Sequence, residues 1–288
     1  MKRLIVLIGV VGISASAVLV RWATAPSMVL VLYRMIIAVA MLSVPVLLKG
    51  REELKGMTKR EWLLTMAAGC CLGLHFASFF ESLRHTSIAA AVILSDIEVL
   101  FVALGSTVFF RKKLNRQCWI AVILALIGAV MVALADGGGE SRLLGNALAL
   151  LCTLFLAMYT MIGASVRSRI SNTTYTFVAY GCAAVTVLVL ALIGGTPLGG
   201  YGANNWLAAL GMAVLCTLMG HSVFTWGLKY LPPAYISTVK LLDPVFSALW
   251  GLLLFQEVPT LLVILGGVIV IIGVFLYGRA TEEEEPYE

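Results

Sequence analysis

Ten apolar stretches follow one another along the chain, each close to the length of helix that crosses a bilayer. They cover residues 4–20, 28–48, 62–83, 86–110, 118–135, 145–165, 172–193, 206–228, 233–255 and 259–278. A transmembrane helix needs roughly 17–25 mostly apolar residues. The segments between them hold helix breakers: ATAPS at 23–27, DGGGES at 136–141, GGTPLGGYGANN at 194–205 and LPP at 231–233. Pro233 and Pro259 stand where a helix would begin, a place that tolerates a missing N–H. The pattern predicts an all-α integral membrane protein of ten transmembrane helices.

Composition narrows the function classes. The 288 residues are 61% hydrophobic and 12% charged, with a mean hydropathy of +1.01, against about half apolar and a quarter charged in a soluble domain. The net charge of +5 is not a nucleic-acid footprint, because Lys and Arg cluster in the short breaks between apolar runs instead of forming a stripe on a polar surface. Cys70, Cys71, Cys118, Cys152, Cys182 and Cys216 lie in or beside apolar runs without metal-ligand spacing, and read as small packing residues. Lys2 and Arg3 followed by LIVLIGVVGI and SASA also fit a cleavable signal peptide. Removal of that span would leave nine helices and spoil the repeat described next.

A shift of 145 residues lays one half of the chain on the other. SLRHTSIAAAVILSDIEVLFVALGSTVFF (82–110) falls on GLKYLPPAYISTVKLLDPVFSALWGLLLF (227–255), with Arg84 on Lys229, Ala89 on Ala234, Phe101 on Phe246 and Phe110 on Phe255. The units run from 1 to 138 and from 139 to 279, and an acidic tail occupies 280–288. Five helices per unit is an odd number, so the second unit enters the membrane from the opposite side. Inverted repeats of this kind mark secondary transporters, whose substrate site lies near midplane at the repeat interface.

Orientation follows from the basic residues. With the N-terminus inside, fifteen Lys and Arg fall on the inner side, among them Lys49, Arg51, Arg111, Arg167 and Arg279. Three fall outside, Arg21, Arg84 and Arg142, and two, Arg34 and Lys240, lie within spans. Both termini are therefore expected in the cytoplasm, and the protein in the plasma (bacterial inner) membrane.

The charged residues inside the spans are the functional candidates. A carboxylate at midspan costs about 2.5–3.5 kcal/mol on insertion scales. The repeat lays Glu98 on Asp243, and each is near the centre of its span. On a continuous helix Asp96 and Glu98 are roughly 200° apart, so they cannot face one cavity. Glu98, with its symmetry partner, is assigned to the pathway. Asp96 then needs a separate partner, and Arg34 is the candidate; snorkelling of Arg34 to the outer interface is the alternative. Lys240 and Asp243, at i and i+3, are close enough to pair. Pro244 deprives the Lys240 carbonyl of its helical partner, which is tolerated at midplane only beside protein or a water-filled cavity. Ser237, Lys240, Pro244, Ser247 and Gly251 share one face. His75 and His221 are candidates for a proton relay or for hydrogen-bonded packing. Tyr159 and Trp226 are candidate substrate contacts among other aromatics near these helices, including Phe79 and Phe224. Gly69 and Gly73 form a small-xxx-small pair suited to close helix contact.

Several strings resemble the drug/metabolite transporter superfamily, of the EamA type: LYRMIIA (32–38), LAMYT (156–160), GHSVFTWGLKYLPPAYIS (220–237), LLDPVFSALWGLLLFQE (241–257) and GGVIVIIGV (266–274). The resemblance spans the whole chain. It implies an inner-membrane carrier, usually an exporter of amino acids, related metabolites or drugs, with a central cavity lined by helices of both repeats. It also implies an acidic-proline pair at Asp243-Pro244 and an arginine at Arg34.

The residues and the resemblance together predict a secondary transporter of a small polar metabolite such as an amino acid. Glu98 and Asp243 would take an ammonium and Lys240 a carboxylate. A carrier of cationic amphiphiles is the alternative, with Lys240 neutralised by Asp243. The chain has no HExxH or GxSxG and no clustered His and Asp ligands, so an intramembrane enzyme is not expected, nor is a metal or cofactor. A scaffold acting through its tail would not need midplane charges. No P-loop is present, which leaves a downhill or ion-coupled carrier, with the proton as the expected ion. The expected partners are a small-molecule substrate, the lipid bilayer and, as a homodimer, a second copy of the chain.

Overall fold

The computed structural model describes residues 2–98, 100–102, 105, 115–135, 140–227, 229–231, 239–240 and 242–282. There is no strand among the described residues. Besides helical residues at 98, 100–102, 105 and 239–240, ten helical segments make up most of the structure. They are α1 (Lys2–Trp22), α2 (Ser27–Gly56), α3 (Lys59–His85), α4 (Ile88–Asp96), α5 (Arg116–Ala135), α6 (Glu140–Val166), α7 (Asn172–Ile193), α8 (Ala203–Gly227), α9 (Asp243–Phe255) and α10 (Leu261–Glu282). Each coincides with one predicted span. Six of them are long and apolar enough to cross a membrane on length and composition alone.

Local chemistry sets the ends. Thr58 and Glu61 form a reciprocal capping box at the start of α3, with Glu61 accepting from the Thr58 N–H at 2.8 Å. Ser87 caps α4 and Ser171 caps α7. Helix α2 outruns its predicted end at 48. Beyond Pro45 it widens into a π-helical turn, Val46–Gly50, and continues as the charged Arg51–Gly56.

The two halves interleave. Helix α3 packs against α6 and α7, α1 against α8, and α5 against α10. Gly69 and Gly73 face α7 as their spacing predicts. A Cβ on Gly69 would lie 2.4 Å from the Ala179 carbonyl, and one on Gly73 would lie 2.9 Å from that of Ala183, so the backbones touch there. On the other flank, α1 lies against a π-helical run within α8, Met212–His221. A Cβ on Gly12 would meet the Leu215 carbonyl at 2.6 Å.

Helix α4 stops in mid-span. Ile97 leaves helical geometry at φ −71°, ψ 9°, and Leu100 donates to it in a tighter turn at 2.9 Å. The Thr153 hydroxyl of α6 lies 2.8 Å from the carbonyl of Ala149 on its own helix, 2.9 Å from that of Leu94 and 3.3 Å from that of Ser95, so its one proton is shared between its own turn and the interrupted ladder. Helix α9 mirrors this break. Leu242 lies just before its first residue and donates to Val239 at 3.2 Å, and Pro244 sits at the helix start. Ile97 and Leu242 are 145 residues apart, the offset of the repeat.

Candidate functional site

The two breaks border a central cavity of about 40 Å³, room for a few water molecules. Its ionisable lining comes from four helices and the residues just before α9: His75 from α3, Asp96 from α4, His221 from α8, Asp243 from α9, and Lys240. Ser16, Ser95 and Ser247 add hydroxyls, and Phe76, Phe79 and Phe224 add rings. Contacts between the halves lie toward both ends of the bundle. At the end bearing residues 194–205, Glu257 pairs with Arg21 at 3.4 Å and accepts from the Ile88 N–H at 2.7 Å. At the other end, Glu53 accepts from the Ser171 and Thr174 hydroxyls, each at 2.5 Å.

The carboxylates divide in an order opposite to the predicted one. Glu98, 2% exposed, accepts from Lys240 Nζ at 2.8 Å and from Thr160 Oγ1 at 2.5 Å, and does not line the cavity. Asp96 does line it, and its Oδ2 is buried with no hydrogen-bond partner among the described residues. Asp243 accepts from Ser247 Oγ at 2.8 Å. The pairing of Asp96 with Arg34 does not form. Arg34, 0% exposed, bonds Thr217 Oγ1 at 2.7 Å and Ser16 Oγ at 3.3 Å, and its Cζ lies 4.0 Å from the centre of the Phe76 ring. Nor does Arg34 snorkel, since it is sealed in the bundle. The expected pairing of Lys240 with Asp243 gives way to Lys240 with Glu98.

The breaks account for the exchange of partners at Lys240. Asp96 and Glu98 do face apart, and it is the repeat register that assigns the wrong one to the cavity. Arg34 is held by residues of three other helices. An i, i+3 argument assumes an unbroken helix, and Leu242 separates Lys240 from Asp243. A signal for this was present in the sequence. Pro244 foretells the break in the ninth span, and the repeat offset carries it to Ile97.

The other candidates divide as follows. His75 and His221 face each other across the cavity, ring centres 6.1 Å apart, and His75 Nδ1 lies 3.0 Å from the Cys152 carbonyl. Pro244 is buried where α9 begins. Tyr159 packs against Tyr175 with centroids 6.1 Å apart, and Trp226 against Tyr230 at 4.9 Å; neither lines the cavity. Ser237 lies outside the described residues. No group of His, Cys, Asp and Glu suited to a metal occurs among the described residues.

The model of the EamA-like transporter family matches residues 2–134 and 143–279. The chain belongs to that family. This EamA-type protein is therefore a multi-pass, all-α membrane transporter, and not an enzyme, with ten helices in two inverted five-helix repeats. Among its relatives is an uncharacterized transporter YxxF of Bacillus subtilis (strain 168), 25% identical over 87% of this chain and 81% of the relative. An uncharacterized transporter of Archaeoglobus fulgidus is 25% identical over 82% and 84% of the two chains. The pseudopaline exporter CntI of Pseudomonas aeruginosa is 24% identical over 89% of this chain and 88% of the relative. A crystal structure with 17% identity superposes with a TM-score of 0.70, covering 99% of this chain and 98% of the other, and shares the fold.

Proposed function

We propose that this protein is a proton-coupled secondary carrier that exports a small polar metabolite bearing an ammonium group, an amino acid being the example the sequence suggests. The observation that carries this reading is the pair Asp96 and Asp243. Both carboxylates line one central cavity at the junction of the two repeats, and neither has a salt bridge among the described residues. Two acids left charged in such a place are expensive, so each favours a proton or a cationic ligand. Alternate occupancy by proton and substrate couples the two flows. His75 and His221, on α3 and α8, face the same space and offer further proton positions. Lys240 is held by Glu98, and the two neutralise each other.

The orientation, with both termini in the cytoplasm of a bacterial inner membrane, is supported by the charge asymmetry of the connecting segments, and export by the relative named as a pseudopaline exporter. Reconstitution into liposomes tests the reading. Wild-type protein should accumulate substrate against its gradient when a pH gradient is imposed, and Asp243→Asn should abolish accumulation while remaining monodisperse. Wild-type rates in that variant at matched expression would sink the proposal. A cysteine at Asn204 in a background without native cysteines should react with an impermeant thiol reagent on intact cells; labelling only after lysis would reverse the orientation.

A further inference from the structure

The polar groups around the central cavity are unequally spent. Ser95 Oγ donates to the Val92 carbonyl at 2.9 Å, and Ser247 Oγ donates to Asp243 Oδ1 at 2.8 Å. Lys240 Nζ donates to Glu98 at 2.8 Å. His75 Nδ1 faces the Cys152 carbonyl at 3.0 Å. A carbonyl only accepts, so the neutral ring carries its proton on Nδ1 and keeps Nε2 as a bare acceptor. Asp96 Oδ2, buried, has no hydrogen-bond donor among the described residues. The Ser95 and Ser247 hydroxyls and the His75 Nδ1 proton are directed into the protein, one Lys240 N–H is given to Glu98, and Asp96 Oδ2 and His75 Nε2 stand as open acceptors.

Charge and ring placement agree. Glu98 and Lys240 neutralise each other, which leaves two carboxylates on the cavity. The rings of Phe76, Phe79 and Phe224 line the same cavity. Phe224 already faces a cation, with Lys240 Nζ 5.3 Å from its centre, the geometry of a cation–π contact. A substrate carboxylate finds no such reception. Lys240 is paired with Glu98, and Arg34, whose Nη2 has no partner among the described residues, stacks on Phe76 and does not line the cavity.

We propose that the central cavity is an ammonium site selective for primary amines that lack an α-carboxylate, with Asp96 and Asp243 accepting the N–H groups and the phenylalanine rings enclosing the charge. This rests on the carrier reading above and narrows it. It assigns Asp96, with its unmet oxygen, as a substrate contact on an equal footing with Asp243. It also sets decarboxylated amines apart from the amino acids they derive from.

Calorimetric titration of the purified full-length protein with matched pairs decides the question, using cadaverine against lysine and isoamylamine against leucine. Each amine should bind at least about tenfold more tightly than its amino acid, a difference of about 1.4 kcal/mol. Asp96→Asn should weaken amine binding about tenfold or more, Asp96→Glu should retain most of it, and Asp243→Asn should behave as Asp96→Asn does. If neither asparagine variant folds, the comparison of pairs on the wild-type protein decides alone. Amino acids binding as tightly as their amines, with that binding lost in Arg34→Gln, would overturn the proposal and make Arg34 the carboxylate partner. So would amine binding untouched by both asparagine variants, or no binding by either class. Counterflow in liposomes separates the two readings. An amine that binds but is not carried breaks the carrier reading alone, and an amino acid that binds and is carried breaks only the selectivity.

Discussion

The break after α4 and the break before α9 occupy equivalent positions in the repeat, yet they put their charges to different use. At the first, the cavity receives the acid before the break, Asp96, while the acid after it, Glu98, turns to Lys240 and Thr160. At the second, Lys240 precedes the break and Asp243 follows it. Glu98 and Asp243 are thus aligned in sequence but not in role. The first break supplies the anion that holds the second's cation, and each break keeps one carboxylate for the cavity. Internal symmetry fixes where the backbone is interrupted, because that depends on local geometry. It does not fix which side chain enters the cavity, because that depends on partners from other helices.

If that division holds, Glu98→Gln should do the most damage. It leaves the Lys240 ammonium nearly buried without its counter-charge, a loss of about 3–5 kcal/mol for a broken buried pair. Folded yield and thermal stability in detergent should fall together, and the double variant Glu98→Gln, Lys240→Gln should recover much of both. Asp96→Asn should keep its folded yield and lose transport instead. Equal yields from the two single variants would erase the distinction between the breaks. An intermediate loss is expected from Thr160→Val, which removes a hydrogen bond to a charged acceptor worth about 1.5–3 kcal/mol and should lower the unfolding temperature without the aggregation expected of Glu98→Gln. The smallest effect belongs to Thr153→Val. It uncovers the Leu94 carbonyl at about 1 kcal/mol, and its signature should be faster amide exchange around residues 97–100, with the α9 break unchanged. Exchange that rises equally at both breaks would show that they move as one unit.

Much of the architecture was legible in the sequence. Apolar run lengths located the helices, because in a membrane the backbone leaves few other choices. Gly69 and Gly73 announced a close contact, which the structure places on Ala179 and Ala183. His75, His221, Lys240 and Asp243 could be nominated for the cavity, because buried polarity in an apolar span is conspicuous. The partners of Asp96, Glu98 and Arg34 could not be read by treating each span as a continuous helix. Arg34 shows the limit most plainly. Its neighbours are Thr217, Ser16 and the face of Phe76, contributed by three other helices, and no local pattern around residue 34 encodes them. Tyr159 and Trp226 were chosen for their chemistry alone, and their rings found other rings instead of the cavity.

The wide run Met212–His221 in α8 has a consequence for how this protein tolerates length changes. Each π-type closure carries one residue more than an α-helical turn would, and one residue is worth about 100° of rotation around a helix. His221 and Phe224 lie at the end of that run or just past it, and both contribute to the cavity wall. The surplus therefore sets the phase of everything downstream. A deletion of one residue among 213–216 would leave the hydropathy of the span almost unchanged, and would nevertheless swing the imidazole and the ring away from the acids they face.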